Sequence, residues 1–178
     1  NAYEQITQQT DSFVEIDLVT LHPQYLSSSY VYETTAGSKI FGALLSETDS
    51  LGRTTRYFYD NVKGHLLTSI SPDNQGITYS YDALGNLTSA MPAVYNTSTG
   101  TTSATTNAES VSYLYNTKNQ LSSISSESTT YTFTYDVFGK TDTIKVGDRT
   151  LADYEYFANN GKMLSMEYGN GCTVFYLY

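Results

Sequence analysis

An aromatic-x-Tyr pair followed by a turn signal recurs along this chain at a nearly fixed interval, and that recurrence limits the fold more than any other feature. Five copies align: Tyr57-Phe58-Tyr59-Asp60, Tyr79-Ser80-Tyr81-Asp82, Tyr113-Leu114-Tyr115-Asn116, Phe133-Thr134-Tyr135-Asp136 and Tyr154-Glu155-Tyr156-Phe157. Tyr176-Leu177-Tyr178 starts a sixth, and Tyr30-Val31-Tyr32-Glu33 reads as a degenerate earlier copy. From Tyr59 onward the second Tyr recurs at intervals of 22, 34, 20, 21 and 22 residues. A short fixed period marks an array of supersecondary units, each burying its apolar face against its neighbours. The one long interval holds a Ser-, Thr-, Ala- and Gly-rich stretch at 97–107. That composition predicts a flexible surface loop inserted in one repeat.

The positions after the pair repeat as well. Tyr81 is followed by Gly85, Leu87 and Ala90; Tyr115 by Asn119, Leu121 and Ile124; Tyr135 by Gly139, Thr141 and Ile144. The units at Tyr59 and Tyr156 carry one extra turn residue, with Gly64 and Gly161 in the closing place. Residues i and i+2 of a strand share a face, so each pair presents two rings the same way. Asp60, Asp82 or Asp136 can then bond local amides, and the Gly or Asn tolerates the left-handed backbone of a hairpin loop. The chain returns with Leu and Ile on the face expected to be buried. No window shows helical periodicity, so the expected fold is all-β, an array of repeated antiparallel hairpins. Residues 1–45 are less regular than 46–178. A strand is expected where Phe13, Glu15 and Asp17 alternate with Val14, Ile16 and Leu18, ended by His22-Pro23.

Composition agrees with a β array. There are 18 Tyr and no Trp, and charged residues make up only 15%. Aromatic and β-branched side chains pack well on a pleated surface. The net charge of −9, with Lys and Arg scattered singly, argues against a nucleic-acid partner, which needs a basic face to displace counterions. It disfavours an anionic membrane surface for the same reason. No apolar run reaches the length that spans a bilayer, so no membrane insertion is expected. Cys172 is the only cysteine and cannot form an internal disulfide. The first residue is not Met and the pattern is cut at Tyr178, which reads as a processed or excised piece of a longer chain.

The pattern Tyr-x-Tyr-Asp-x-x-Gly-x-Leu resembles the YD repeat of the RHS (rearrangement-hotspot) proteins. Tyr79-Ser80-Tyr81-Asp82-Ala83-Leu84-Gly85-Asn86-Leu87-Thr88-Ser89 carries it most fully, and Asp49 to Asp60 matches the linking pattern. The likeness covers roughly residues 46 to 178, and weakly 22 to 45. It implies a β-ribbon that winds into a spiral and, in complete members, closes into a hollow shell. It also implies a secreted or cell-surface setting, with bacterial toxins, wall-associated proteins and animal teneurins among the members. In the toxins the shell encloses a C-terminal effector, so the implied partner is the remainder of a parent chain with an effector cargo. No Asp-Pro dipeptide occurs here, so the resemblance brings no self-cleaving function with it.

The tyrosine ladder reads first as core and inter-repeat packing, and second as an aromatic track for glycans. The second reading would make the chain a carbohydrate-binding or adhesive module. The recurring Asp residues read as turn formers and not as calcium ligands, because no clustered oxygen-ligand motif accompanies them. His22 and His65 are too few and too isolated to suggest a triad, with His65 expected at the surface beside a turn. Cys172 reads as a packed strand residue. We therefore expect no enzyme, no catalytic residue, no metal and no cofactor. Asn86-Leu87-Thr88 and Asn96-Thr97-Ser98 form glycosylation sequons, which matter only in a eukaryotic secretory host. Open strand edges leave room for edge-to-edge self-association.

Overall fold

The structure is a computed structural model that describes residues 5–16, 21–105 and 108–178, with side chains outside 11–16 and 21–25. It forms two compact units, Asn1–Ser80 with Met91–Ala108, and Tyr81–Ala90 with Glu109–Tyr178. Every regular element among the described residues is a strand. In the first unit β1 (Gln8–Ile16), β2 (Leu21–Tyr32), β3 (Leu44–Thr48), β4 (Thr54–Tyr59), β5 (Leu66–Ile70) and β6 (Gln75–Tyr81) pair in chain order. The second half of β7 (Leu87–Asn96) then pairs with β8 (Thr101–Ala104). In the second unit the first half of β7 leads to β9 (Val111–Tyr115), β10 (Leu121–Ser125), β11 (Thr130–Tyr135) and β12 (Thr141–Val146). The order continues through β13 (Arg149–Tyr156), β14 (Met163–Tyr168) and β15 (Thr173–Phe175). All these pairings are antiparallel, so the all-β hairpin array read from the sequence is what the chain forms.

Two local expectations about strands and loops change. The 97–107 stretch was expected as a loop; Thr101–Ala104 instead pairs with Ala93–Asn96 as a hairpin, closed by Gly100 at φ 69. Thr favours a pleated backbone, and this preference outweighs the loop-like composition. Asn107 lies outside the described residues. His22-Pro23 does not end a strand but lies inside β2, with Pro23 opposite Val14. Proline is tolerated there because β3 reaches only Ser29–Tyr32, leaving that side of Pro23 without a ladder partner. Asp17 and Leu18 lie outside the described residues.

The core is thin. Among the described residues only Ile40, Ile70, Ala93 and Ala152 are buried apolar residues. The return-strand residues expected to be buried, Leu87, Leu121, Ile124 and Ile144, are half-buried. Small hydroxyl side chains take the closed positions: Thr68, Ser123 and Ser165 are buried, each the third residue of its return strand. A hairpin layer carries its apolar residues on a face that the rest of the chain covers only in part.

Candidate functional site

The repeated feature is a joint between successive hairpins, built from three devices. The first is the turn. In the Tyr81 unit, Asp82 Oδ1 accepts the amides of Leu84 and Asn86 at 2.8 and 2.9 Å, while the Gly85 amide donates to the Asp82 carbonyl. Asp136 does the same for Phe138 and Lys140, and Asn116 for Lys118 and Gln120. The closing residue is left-handed in each, with φ of 88 at Gly85, 85 at Gly139 and 62 at Asn119. Asp60 accepts Val62 and Lys63 amides in a turn longer by one residue, closed by Gly64. Phe157 has no side-chain acceptor, and Asn160 Oδ1 accepts the Lys162 amide instead, before Gly161 closes the turn. The Asn86 side chain holds the Asp82 carboxyl below the usual carboxylate range.

The second device is a tyrosine clamp. The pairing register shifts where the second Tyr of a pair stands, at Tyr32, Tyr59, Tyr115, Tyr135 and Tyr156. Such bulges re-aim a side chain. Here the hydroxyl is sent to the backbone of the preceding hairpin. Tyr59 donates to the Leu44 carbonyl at 2.9 Å, Tyr115 to Leu87 at 3.0 Å, Tyr135 to Leu121 at 2.7 Å and Tyr156 to Thr141 at 2.9 Å. Each acceptor is the first residue of its return strand. Tyr32 donates to the Ile6 carbonyl, so the degenerate copy keeps the clamp. Burial raises the Tyr59 and Tyr156 hydroxyls above their ordinary pKa.

The first ring of each pair, and the second ring Tyr81, share that covered face. Tyr57, Tyr79, Tyr81, Tyr113, Phe133 and Tyr154 are half-buried, whereas the residues between the pairs (Phe58, Ser80, Leu114, Thr134 and Glu155) are exposed. Tyr57 donates to Glu47 Oε1 at 3.0 Å, and burial together with that carboxylate pushes its pKa up to about 12.

The third device was not foreseen from the sequence. The residue directly after the closing Gly or Asn reaches the next turn in the second unit. Asn86 Nδ2 donates to Asn119 Oδ1, Gln120 Nε2 to the Gly139 carbonyl at 2.9 Å, and Lys140 Nζ to the Gly161 carbonyl. A Cβ on Gly161 would occupy the space taken by Lys140 Nζ, so glycine there serves the neighbour's reach as well as the turn. The signal was present as a polar, long-armed residue at one fixed place, but it varies in identity and so escaped a pattern search.

Other residues fall elsewhere. Cys172 is exposed and is not on a strand. It closes the β14–β15 turn, its amide donating to Asn170 Oδ1 and its carbonyl accepting the Tyr168 amide. A turn-closing position faces solvent, which overturns the expectation of a packed thiol. His65 is half-buried and not fully exposed, and its carbonyl accepts the Asp60 amide across the turn. The His22 side chain lies outside the described set. No group of three His, Cys, Asp or Glu that could hold a metal occurs among the described residues.

These joints define a class: tandem antiparallel hairpins held by Asx turns, tyrosine clamps and turn-to-turn bonds. Residues 61–91, which run from one turn through β5 and β6 into β7, match the family model described as RHS Repeat. The matched segment is one of the repeats whose sequence copies resemble this family. Two solved structures share the fold. One is the crystal structure of TcdB2-TccC3-Cdc42, at 14% identity and a TM-score of 0.61, covering 86% of this chain and 9% of that one. The other is the crystal structure of TcdB2-TccC3, at 15% identity and a TM-score of 0.58, with the same coverage of 86% and 9%. This chain thus spans about a tenth of the length of the chains it matches. No curated protein matches it at a significant level. The chain is a segment of repeated structural hairpins, with an RHS repeat at residues 61–91.

Proposed function

We propose that this segment is part of the wall of an RHS-type shell or cell-surface protein, outside the cell, that encloses or displays an effector carried on the remainder of the parent chain. The observation that carries the reading is the use of side chains. Tyr59, Tyr115, Tyr135 and Tyr156 send their hydroxyls to the preceding hairpin, and the donors beside the turns go to the next one. A chain that invests its recurring polar groups in joining repeats is a wall, and chemistry belongs elsewhere. The glycan-binding alternative gains nothing from these rings, whose hydroxyls are engaged with backbone carbonyls.

The test is protease challenge of the parent chain, with the effector region followed by mass spectrometry. The enclosing form predicts that this region survives in the intact chain and is digested quickly when expressed alone. A displayed effector predicts intermediate protection lost without the repeats. Equal digestion with and without the repeats rules out both.

A further inference from the structure

The β7–β8 hairpin carries a strand edge that the repeats leave open, and it lies in the interior of the sequence. Ala93 pairs with Ala104, Val94 with Ser103, Tyr95 with Thr102 and Asn96 with Thr101, with no shift of register. In an antiparallel ladder the amide and carbonyl of one residue point to the same side, and those of the next residue point to the other. The Thr105 amide donates to the Pro92 carbonyl, so Thr105, Ser103 and Thr101 direct their backbone groups to β7. Thr102 and Ala104 therefore direct theirs away from it. The pairing of Tyr95 agrees: it stands opposite Thr102 and sends its own amide away from β8, to the Asn74 carbonyl. Among the described residues β8 pairs with β7 alone.

Natural sheet edges are ordinarily blunted by a charge, a proline or a bulge. β8 has none of these: it reads Thr-Thr-Ser-Ala, all of it is exposed, and its register is regular. No charged residue stands between Asp82 and Glu109, so both strands of the hairpin are neutral. The whole chain carries a net charge of −9. Two copies therefore repel each other over most of their surface, and the β8 edge is a place where they meet without bringing like charges together.

We propose that this edge is a self-pairing surface, at which β8 joins β8 of a second copy of the chain in antiparallel register. Thr102 of each copy stands opposite Ala104 of the other, so every outward amide and carbonyl on both edges is paired about a two-fold axis. The axis passes between the two Ser103 residues, which face each other directly. Hydroxyl pairs of that kind stabilise antiparallel ladders. The second copy is the occupant because the edge is its own complement, neutral and hydroxyl-bearing on both sides. A charged segment would bring to it a charge that nothing in the hairpin balances. An edge this short binds weakly, so the contact forms at high local concentration.

Cysteine crosslinking in the full chain tests this, with Cys172→Ser as the background. In the paired state the two Ser103 Cα atoms form a non-hydrogen-bonded pair about 4.5 Å apart, within disulfide range. The two Thr101 Cα atoms are then offset along the strands by about 14 Å, beyond that range. Both residues are exposed, so random collision treats them alike. Under mild oxidation at high protein concentration, Ser103→Cys should give a disulfide dimer several-fold faster than Thr101→Cys. Thr102→Pro removes an outward amide at a position where an edge strand tolerates proline. Added to Ser103→Cys, it should abolish the crosslink and leave the denaturation midpoint nearly unchanged. Equal rates at the two cysteine positions overturn the proposal, because they mean a parallel register or random collision. Dimers that survive Thr102→Pro place the contact on another edge and overturn it too, as does an unaltered chain that sediments as monomer at every concentration. Should Thr102→Pro fail to fold, the ratio of the two crosslinking rates decides alone. None of these results touches the wall reading, which is decided by protection of the effector region.

Discussion

The hairpins from β9 to β14 and the hairpin of β7 with β8 are fastened by different means. In the first group, Tyr135 and Tyr156 each bond the backbone of the preceding hairpin, and Gln120 and Lys140 each bond the next turn. The β7–β8 hairpin is held mainly by its backbone. The Tyr95 amide donates to the Asn74 carbonyl at 2.9 Å, and the Thr105 amide to Pro92 at 3.0 Å. Thr78 Oγ1 donates to the Met91 carbonyl, and the Tyr95 ring lies 5.8 Å from Phe58 with Arg56 nearby. All four residues of β8 are exposed. The difference teaches that the period in this sequence records the joints. Where the period lapses, a hairpin still forms, because pairing requires only backbone groups and a turn, but its fastenings to neighbouring repeats are of other kinds than the tyrosine clamp and the turn-to-turn donor.

The sharpest way to break this comparison is at a turn that the joints depend on. Gly85→Val forces a β-branched residue into φ 88 and should cost about 2–3 kcal/mol, against less than about 0.5 kcal/mol for Ala83→Val. Equal denaturation midpoints for the two variants would remove the turn from the argument. Tyr135→Phe deletes the donor to Leu121 and should cost about 1 kcal/mol, whereas Tyr95→Phe in the other hairpin should cost close to nothing. Urea titrations of both variants decide whether hydroxyl clamps distinguish the two regions.

A pH series sharpens the same point in the first unit. The Tyr57 hydroxyl has its pKa raised from 10.0 to about 12, first by burial and then by Glu47. A raised folded value means that its contribution is fully present below pH 10, the unfolded value, and is lost as pH rises through about 12. Ultraviolet titration should show Tyr57 ionising late, and Tyr57→Phe should flatten the stability change across that window; an unaltered profile would remove the Glu47 bond from the account. The smallest effect is expected from replacing residues 97–104 by a short turn. Loop length is weakly penalised and β8 covers little, so the change should stay under about 0.5 kcal/mol by denaturation. A large loss would mean that this hairpin is as firmly fastened as the others.

Much of the array was legible in the residues. The Asp82-Ala83-Leu84-Gly85 turn could be read because Asx bonding and left-handed backbone are local properties of those residue types. The shared face of Tyr57 and Tyr59 followed from strand alternation. Burial was not legible. Leu121 and Ile124 are half-buried while Ser123 between them is buried, because the bulge near Tyr115 moves the return strand by a residue. Simple alternation assigns faces only while the register is unbroken. The partners of Gln120 and Lys140 were equally hidden, since a long flexible donor reveals nothing of its acceptor until the neighbouring turn is in place.

By itself, the sequence determined the period, the hairpin as the repeating unit, the positions of the turns and the resemblance to the RHS repeat. These depend on interactions within a few residues of one another, and short-range geometry is carried by residue type. Only the tertiary structure decided that the second tyrosine ends on the carbonyl of an earlier return strand, that small hydroxyl residues fill the closed positions, and that the Ser- and Thr-rich stretch forms a hairpin. Those outcomes depend on how a bulge turns one strand against the next, and that is a property of the assembled pair and not of either strand alone.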